Sequence, residues 1–582
     1  GLNYNILKGL KFSSTYSLDH YFTRVYTFTP DYLKYDKKSE VQASNIAMTN
    51  IQTENILTYN LALPSEHKLE LMAGMTYNYD LLQNLSGTAK GGPTNSIKYA
   101  GEGWPSLFND GGTVRAAQSF LTNQQEQSLL SFLGRAAYSY KKRYMTELSI
   151  RADGSSVFGK DVRWGTFPSV GLGWAFSEEH FMKKFWWLSF GKLRASWGKS
   201  GQKFQEPYLA LGVMEESNIF NGSLGLIPQS MANKKLTWEE SDQYDLGLDL
   251  QMLDYRLKLK LDYYYKYSSK LLMQSYLPGN VFLANNMWDN ASAISNEGIE
   301  FEAQYDVIRK KNWNWSVGFN LSHNKNMLRK TYNGEDLNDK VLGRPVYGIY
   351  TFKDEGIVQK EEDIPMYLNA SGKQIPLYFQ SINNPLRVGG RKIKDQNYDG
   401  VIDDKDLYYA GSTLPAVYGG LNSHLEWKGL SFDVLFSYTI SRKVMNMYKN
   451  SAFTFTKDFG VIMNYFHAGD FWTTSNRDAK YPSLEFADKD YVGQFDGNVD
   501  SNIENISFLR LKQLVIGYQI PKNWLKGSFI KDANVYLSGE NLFLLTNYSG
   551  VDPEIINPYS GKDDGTQYPL NRKVTLGLNL KF

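Results

Sequence analysis

The chain has 582 residues, with 63 basic against 61 acidic side chains, and the resulting charge of +2 implies no polyanion-binding surface, so nucleic acid is not an expected partner. It has no cysteine, which removes disulfides, thiolate metal sites and cysteine nucleophiles together. No run of about 18 apolar residues is present to cross a membrane as a helix. The mean hydropathy of -0.44 decides nothing, because a membrane β-barrel shows lipid only every second residue.

Along the chain the dominant signal is alternation with period two. Strands are expected near 8–28, 51–63, 68–79, 129–140, 143–153, 164–177 and 188–199. In the next pair, 238–252 and 256–269, Leu246, Leu248 and Leu250 alternate with Asp245, Gly247 and Asp249, and Leu257, Leu259 and Leu261 with Lys258 and Lys260. Near 297–308 and 312–327, Ile299, Phe301 and Ala303 oppose Glu300 and Glu302, and Trp313, Trp315 and Val317 repeat the rhythm. Strands near 416–427, 430–442, 506–520, 532–546 and 572–582 complete about sixteen. The last runs Val574, Leu576, Leu578, Leu580, Phe582 on one face and Thr575, Gly577, Asn579, Lys581 on the other.

A soluble sandwich or propeller also alternates, but its strands run about 5–6 residues, whereas a tilted membrane strand needs about 9–11. Several segments here hold the pattern for about 11 or more, with Tyr, Phe or Trp near the ends of the apolar face, as lipid-interface girdles require. The expected fold is all-β: a transmembrane antiparallel β-barrel occupying the whole of 1–582. Connector lengths support this. Short links near 64–67, 141, 177–184, 254, 310, 428–429 and 521–531 alternate with long ones near 80–128, 200–237, 270–296, 328–415 and 443–505. Outer-membrane barrels have short periplasmic turns and long outward loops, so a periplasmic C-terminus is expected.

The sharpest local motif is DQNYDGVIDDKD at 395–406. Asp395, Asn397 and Asp399 put oxygen donors at loop positions one, three and five, Gly400 permits the sharp turn, and Val401 offers a carbonyl at seven. Asp403 and Asp406 occupy nine and twelve. This is the spacing of an EF-hand-like calcium loop, and a structural calcium ion is the expected cofactor. Position twelve is Asp rather than Glu and no amphipathic helices flank the loop, so it is no sensor hand. The alternative is an acidic, solvated turn without metal.

Signs of catalysis are weak, and no enzyme is expected. The six histidines (His20, His67, His180, His323, His424, His467) are scattered without metal-ligand spacing. Trp197-Gly198-Lys199-Ser200 lacks the glycine a phosphate loop requires, since Leu193 stands in its place. Loop aromatics such as Tyr465, Phe471, Trp472 and Tyr481 are read as packing rather than as cargo platforms, and Gly411–Pro415 as the start of a strand.

Several stretches resemble the SusC/RagA family of TonB-dependent transporters of Bacteroidetes. RADGSSVFG at 151–159 and RWGTFPSVGLGWAFSEEHFM at 163–182 look like its signature. KLRASWG at 192–198, the acidic turn at 395–406, SFLRLKQLVIGYQIP at 507–521 and NVYLSGENLFLLTNYSGVDPE at 534–554 follow in the family's order. The resemblance implies a 22-strand barrel preceded by a plug. Sixteen strands would leave six and the plug outside this chain, which begins Gly-Leu-Asn without initiator Met or signal peptide and is therefore expected to be a C-terminal portion. It also implies an importer of oligosaccharides or oligopeptides in the outer membrane, energised through TonB and capped by a SusD-like surface lipoprotein. The rivals are a passive porin, a barrel enzyme and a soluble glycan-binding β-protein.

Overall fold

In a computed structural model, the described residues are all of 1–582 except 65, 101–103, 111–112, 205, 221–222, 279–285, 338–339, 370, 448–466, 488–497 and 566. They divide into two compact units. Unit 1 holds residues 1–175, 194–244 and 267–293, and unit 2 holds 176–193, 245–266 and 294–582.

Unit 1 is built on an antiparallel ladder of β1 (Leu2–Leu7), β2 (Leu10–Thr29), β3 (Glu40–Ala62), β4 (His67–Lys90), β5 (Gln118–Tyr140), β6 (Tyr144–Ser155) and β7 (Trp164–Trp174), each paired with the next. β1 was not expected from the sequence. Only six residues long, it reaches β2 through a two-residue turn, Lys8-Gly9, that the alternation masks. Gly9 has φ +87°, and a Cβ there would lie 2.4 Å from the Asn60 carbonyl oxygen, so the turn requires glycine.

Four further long strands follow: β8 (Leu188–Gln202), β9 (Glu239–Met252), β10 (Leu257–Tyr276) and β11 (Asn286–Lys310). In unit 2 β12 (Trp313–Lys330), β13 (Val417–Trp427), β14 (Leu430–Asn446), β15 (Ile503–Gln519), β16 (Asp532–Thr546) and β17 (Lys573–Lys581) form a second ladder, again paired in chain order. The β13–β14 turn is Lys428-Gly429, both with positive φ (48° and 88°), the backbone of a type I′ hairpin whose twist matches the strands it joins.

Register assigns the faces. Across β3, β4 and β5, Tyr59, Leu71 and Ala136 share one face with Leu57, Ala73 and Gly134, while Asn60, Glu70 and Ala137 share the other with Asn50, Asp80 and Gln127. The apolar face carries an aromatic cluster at its short-turn end: His67 stacks on Tyr140 at 4.4 Å, Tyr140 on Tyr144 at 6.4 Å, and His67 Nδ1 meets the Tyr138 hydroxyl at 2.7 Å. Ten residues further along β4 stands Tyr77. At about 3.4 Å per residue and a tilt of about 40°, that separation rises roughly 26 Å, the height of the apolar band of an outer-membrane barrel. In unit 2 the paired Trp313 and Trp427 take the corresponding place, with ring centroids 6.1 Å apart.

The opposite face is wet and ion-paired. Arg135 on β5 reaches Glu70 on β4 at 2.9 Å and Glu147 on β6 at 2.8 Å, Arg151 bonds Asp153 at 2.7 Å, and Asn50 meets Asn78 at 3.0 Å. Charges cannot sit in hydrocarbon unpaired, so these rungs mark the aqueous side.

The strands run further than apolar alternation indicates. β4 continues to Lys90 and β5 starts at Gln118, so the link expected at 80–128 shortens to 91–117. β2 and β3 stay paired from Leu10–Tyr59 to Thr29–Glu40. Past the apolar band both faces carry Asn, Gln, Ser and Thr, so the hydrogen-bonded ladder persists where the hydrophobic signal has ended.

Candidate functional site

The signature residues of 151–159 serve loop packing in unit 1. Arg151 and Asp153 end the polar face of β6, and the chain then turns Val157 and Phe158 into a buried cluster with Phe167, Phe204, Leu236 and Trp238. Phe158 lies 4.9 Å from Phe204, edge-on, and 4.7 Å from Trp238. Trp238 Nε1 donates to the Arg163 carbonyl at 2.9 Å, and a Cβ at Gly159 would meet the Lys234 carbonyl oxygen at 2.3 Å.

In unit 2 the long loops have their own core. Val358, Leu377, Phe379, Leu386, Ile393 and Ile402 of the 331–416 link pack with Val499 of the following one. The two links are joined by polar bonds around Asp500, which accepts from Lys353 Nζ at 2.6 Å, the Tyr408 hydroxyl at 2.7 Å and the Asp354 amide at 2.9 Å. Burial works against the Asp500 charge, yet these three donors hold its carboxyl below the usual aspartate range. The loop aromatics that are described behave as packing: Phe471 and Trp472 are buried, Phe471 lies 5.7 Å from Tyr481, and Trp472 Nε1 donates to Gln359 Oε1 at 3.0 Å. Tyr465 lies outside the described residues. The stretch at 411–415 begins inside the loops rather than in the barrel wall. Tyr408–Ser412 pairs with Gly348–Thr351, and β13 starts at Val417.

The acidic turn sits on this core. Val401–Ile402 pairs in parallel with Tyr378–Phe379, so the motif's hydrophobic residue is anchored and its polar residues project. Asp395, buried, accepts from the Tyr398 amide at 2.7 Å and the Gly400 amide at 2.8 Å; Asn397 Oδ1 accepts from the Asp399 amide at 3.0 Å, and Asp399 Oδ1 from the Val401 amide at 3.0 Å. Asp406, fully buried, accepts from the Gln396 amide at 2.7 Å and the Asp403 amide at 2.9 Å, while Asp403 accepts from the Lys405 amide at 2.8 Å. Gly400 has φ +85° with the Tyr367 ring 3.0 Å from any added Cβ. Burial pushes the Asp406 carboxyl up and the nearby Asp395 charge adds to it; burial and a bond to Asp395 push the Tyr367 hydroxyl up to about 12. All six expected ligand positions therefore lie in one turn closed by its own backbone amides. Among the described residues no three His, Cys, Asp or Glu side chains converge as a ready-made metal cluster.

Two buried pairings were not legible in the motif spacing. Arg510 on β15 reaches Asp552 at 2.5 Å and also pairs with Glu554, whose other oxygen takes Lys512 Nζ at 2.8 Å. Arg442 on β14 donates to the Thr413 carbonyl at 2.9 Å. The first links the residues of 507–521 to those of 534–554, two separate blocks of the family likeness, and the second ties β14 to the end of the 331–416 link.

The profile of TonB-dependent receptor-like β-barrels matches residues 1–358. The chain belongs to that family. Receptor barrels of this kind sit in the bacterial outer membrane, and the all-β barrel class read from the alternation is the family's fold. The barrel is 30% identical to TonB-dependent receptor P26 of Formosa agariphila over 589 residues, covering 98% of this chain and 57% of that protein. It is 29% identical to TonB-dependent receptor SusC of Bacteroides thetaiotaomicron over 495 residues, 83% of this chain and 46% of that one. The chain thus spans about half the length of these relatives. Its fold is similar to one chain of the RagAB peptide transporter, with TM-score 0.79 at 22% identity, over 100% of this chain and 61% of that one.

Proposed function

We propose that this barrel is the wall of a SusC-like active importer, energised through TonB, that passes oligosaccharides or oligopeptides and is closed outside by a SusD-like lipoprotein. The reading is carried by one observation: an apolar, aromatic-edged face backs onto a face of cross-strand ion pairs such as Glu70–Arg135–Glu147, within a chain of the TonB-dependent receptor family. An aqueous passage inside a lipid-facing wall has that polarity. The short turns then face the periplasm, the cored loops of unit 2 face outward, and the C-terminus is periplasmic. No catalytic step belongs to this reading. The test is uptake of fluorescent oligosaccharide and oligopeptide pools by cells carrying the full-length gene and its neighbouring lipoprotein gene. One pool should accumulate only when TonB is present. Accumulation that survives loss of TonB would assign the passive-porin reading instead.

The turn at 395–406 is proposed as a structural calcium site held by Asp395, Asn397, Asp399, the Val401 carbonyl, Asp403 and Asp406. The support is charge. Asp395 and Asp406 are buried and repel each other, and among the described residues neither meets a Lys, Arg or His. A carboxylate has about four lone-pair sites, so Asp395, accepting two amides and the Tyr367 hydroxyl, keeps one for a hard cation. Calcium at about 100 times its Kd should protect the loop core by about 2.7 kcal/mol, read as slower proteolysis within 331–416. A chelator should reverse the effect and Asp395→Asn should abolish it. Equal cleavage rates with calcium and with chelator would leave a plain acidic turn.

A further inference from the structure

The chain is nearly neutral as a whole, yet the eight short turns between the described strands hold 12 Lys or Arg against 4 Asp or Glu. In unit 2 this excess gathers around one open cavity of about 1020 Å3 between the turn residues Asp254–Arg256, the end of β11 and the β12–β13 strand ends. Four cations line it, Arg256, Arg309, Lys310 and Lys311, and Lys428 stands beside its Trp427 wall. Arg256 donates to the Asp306 and Val307 carbonyls at 3.1 and 2.7 Å, so its guanidinium is fixed while its charge stays uncompensated by those neutral partners. Arg309 pairs with Asp306 at 2.9 Å. Lys310 and Lys311 are exposed and form no ion pair among the described residues. Lys428 lies 5.7 Å over the Trp427 ring. Asp254 and Asp306 are the opposing carboxylates, so the excess stays positive. Trp313 and Trp427 form the opposite wall, packed edge to face.

A packed Trp pair belongs at the boundary between acyl chain and headgroup. Unpaired lysines beside it are set at phosphate height, where each cation adds about 1 kcal/mol of attraction to an anionic membrane surface. We propose that this cavity is a headgroup site for an anionic phospholipid of the periplasmic leaflet. Lys310 and Lys311 meet the phosphate, and the Trp313–Trp427 wall carries the upper acyl chain. The proposal rests on the topology given above, in which the short turns face the periplasm.

The test uses the full-length receptor in detergent, titrated with phosphatidylglycerol or phosphatidylethanolamine bearing brominated chains, with Trp fluorescence as readout. Phosphatidylglycerol should quench saturably and more strongly than phosphatidylethanolamine. The double variant Lys310→Gln, Lys311→Gln should weaken it about tenfold or more at unchanged melting temperature. Equal binding of both lipids, an unaffected double variant, or full displacement by millimolar inorganic phosphate would each overturn the site. The topology is checked separately with a Lys428→Cys variant and an impermeant maleimide on intact cells. Labelling there overturns the topology, whereas loss of lipid selectivity with that cysteine unlabelled overturns the headgroup site alone.

Discussion

Arg510 and Asp552 are both about 3–4% exposed, a degree of burial at which a charge is tolerated only with its partner. Removing the guanidinium strands Asp552 and leaves Glu554 with Lys512 alone. Arg510→Ala is therefore expected to destabilise the 547–572 link by about 3–5 kcal/mol, seen as new chymotrypsin cleavage there, whereas Lys512→Ala, on a partly exposed pair, should have little effect. Phe158 plays the apolar counterpart in unit 1. Phe158→Ala should cost about 3–5 kcal/mol, measured as a fall in the melting temperature of the folded barrel in detergent, with Phe158→Leu well tolerated by comparison. Neither role was visible in the motif spacing. RADGSSVFG and VDPE read as family signatures, and only the contacts of Phe158 with Trp238 and of Arg510 with Asp552 say that they hold loops to strands.

Individual strands carry their two-sidedness into energetics. On β17, Leu576 pairs with Leu537 on the apolar face and Asn579 with Asn534 on the polar one. Leu576→Arg should cost about 2–4 kcal/mol if it lies near the bilayer midplane, while Asn579→Arg should stay within about 1 kcal/mol. Urea titration of the barrel folded in liposomes separates the two, and equal costs would mean the faces are misassigned. The loop core makes a pH prediction. The donors around Asp500 hold its folded pKa below its ordinary value of 3.8. A depressed carboxylate contributes stability fully above the unfolded value and loses it as pH falls through the folded one. Protection factors in 348–412, taken relative to the intrinsic amide exchange rate at each pH, should thus be steady from pH 7 to 5 and fall below about 4. Asp500→Asn should show faster exchange already at neutral pH and a flatter acid response.

For the molecule as a whole, orientation is the property on which transport depends. The chain has no cysteine, so single introduced ones report cleanly against the parent. Asn333→Cys, exposed in the loops of unit 2, should react with an impermeant maleimide on intact cells, and Lys428→Cys should react only after the outer membrane is opened. The reverse pattern would invert the topology and with it the direction of import.

Period-two alternation, the absence of an apolar helix and the ordered family blocks were enough, from the sequence, for a lipid-facing barrel of the TonB-dependent class. The reason is that lipid on one side and water on the other write their contrast into every second residue. That contrast ends where the membrane ends. The extensions of β2–β5, the core under the 331–416 link and the ring of amides closing on Asp395 and Asp406 rest on backbone hydrogen bonds and on contacts between residues far apart in sequence. The Arg510–Asp552 pair spans 42 residues and the Arg391–Ser501 bond 110, and periodicity along one strand holds no record of what meets it from another. Only the folded chain decides those.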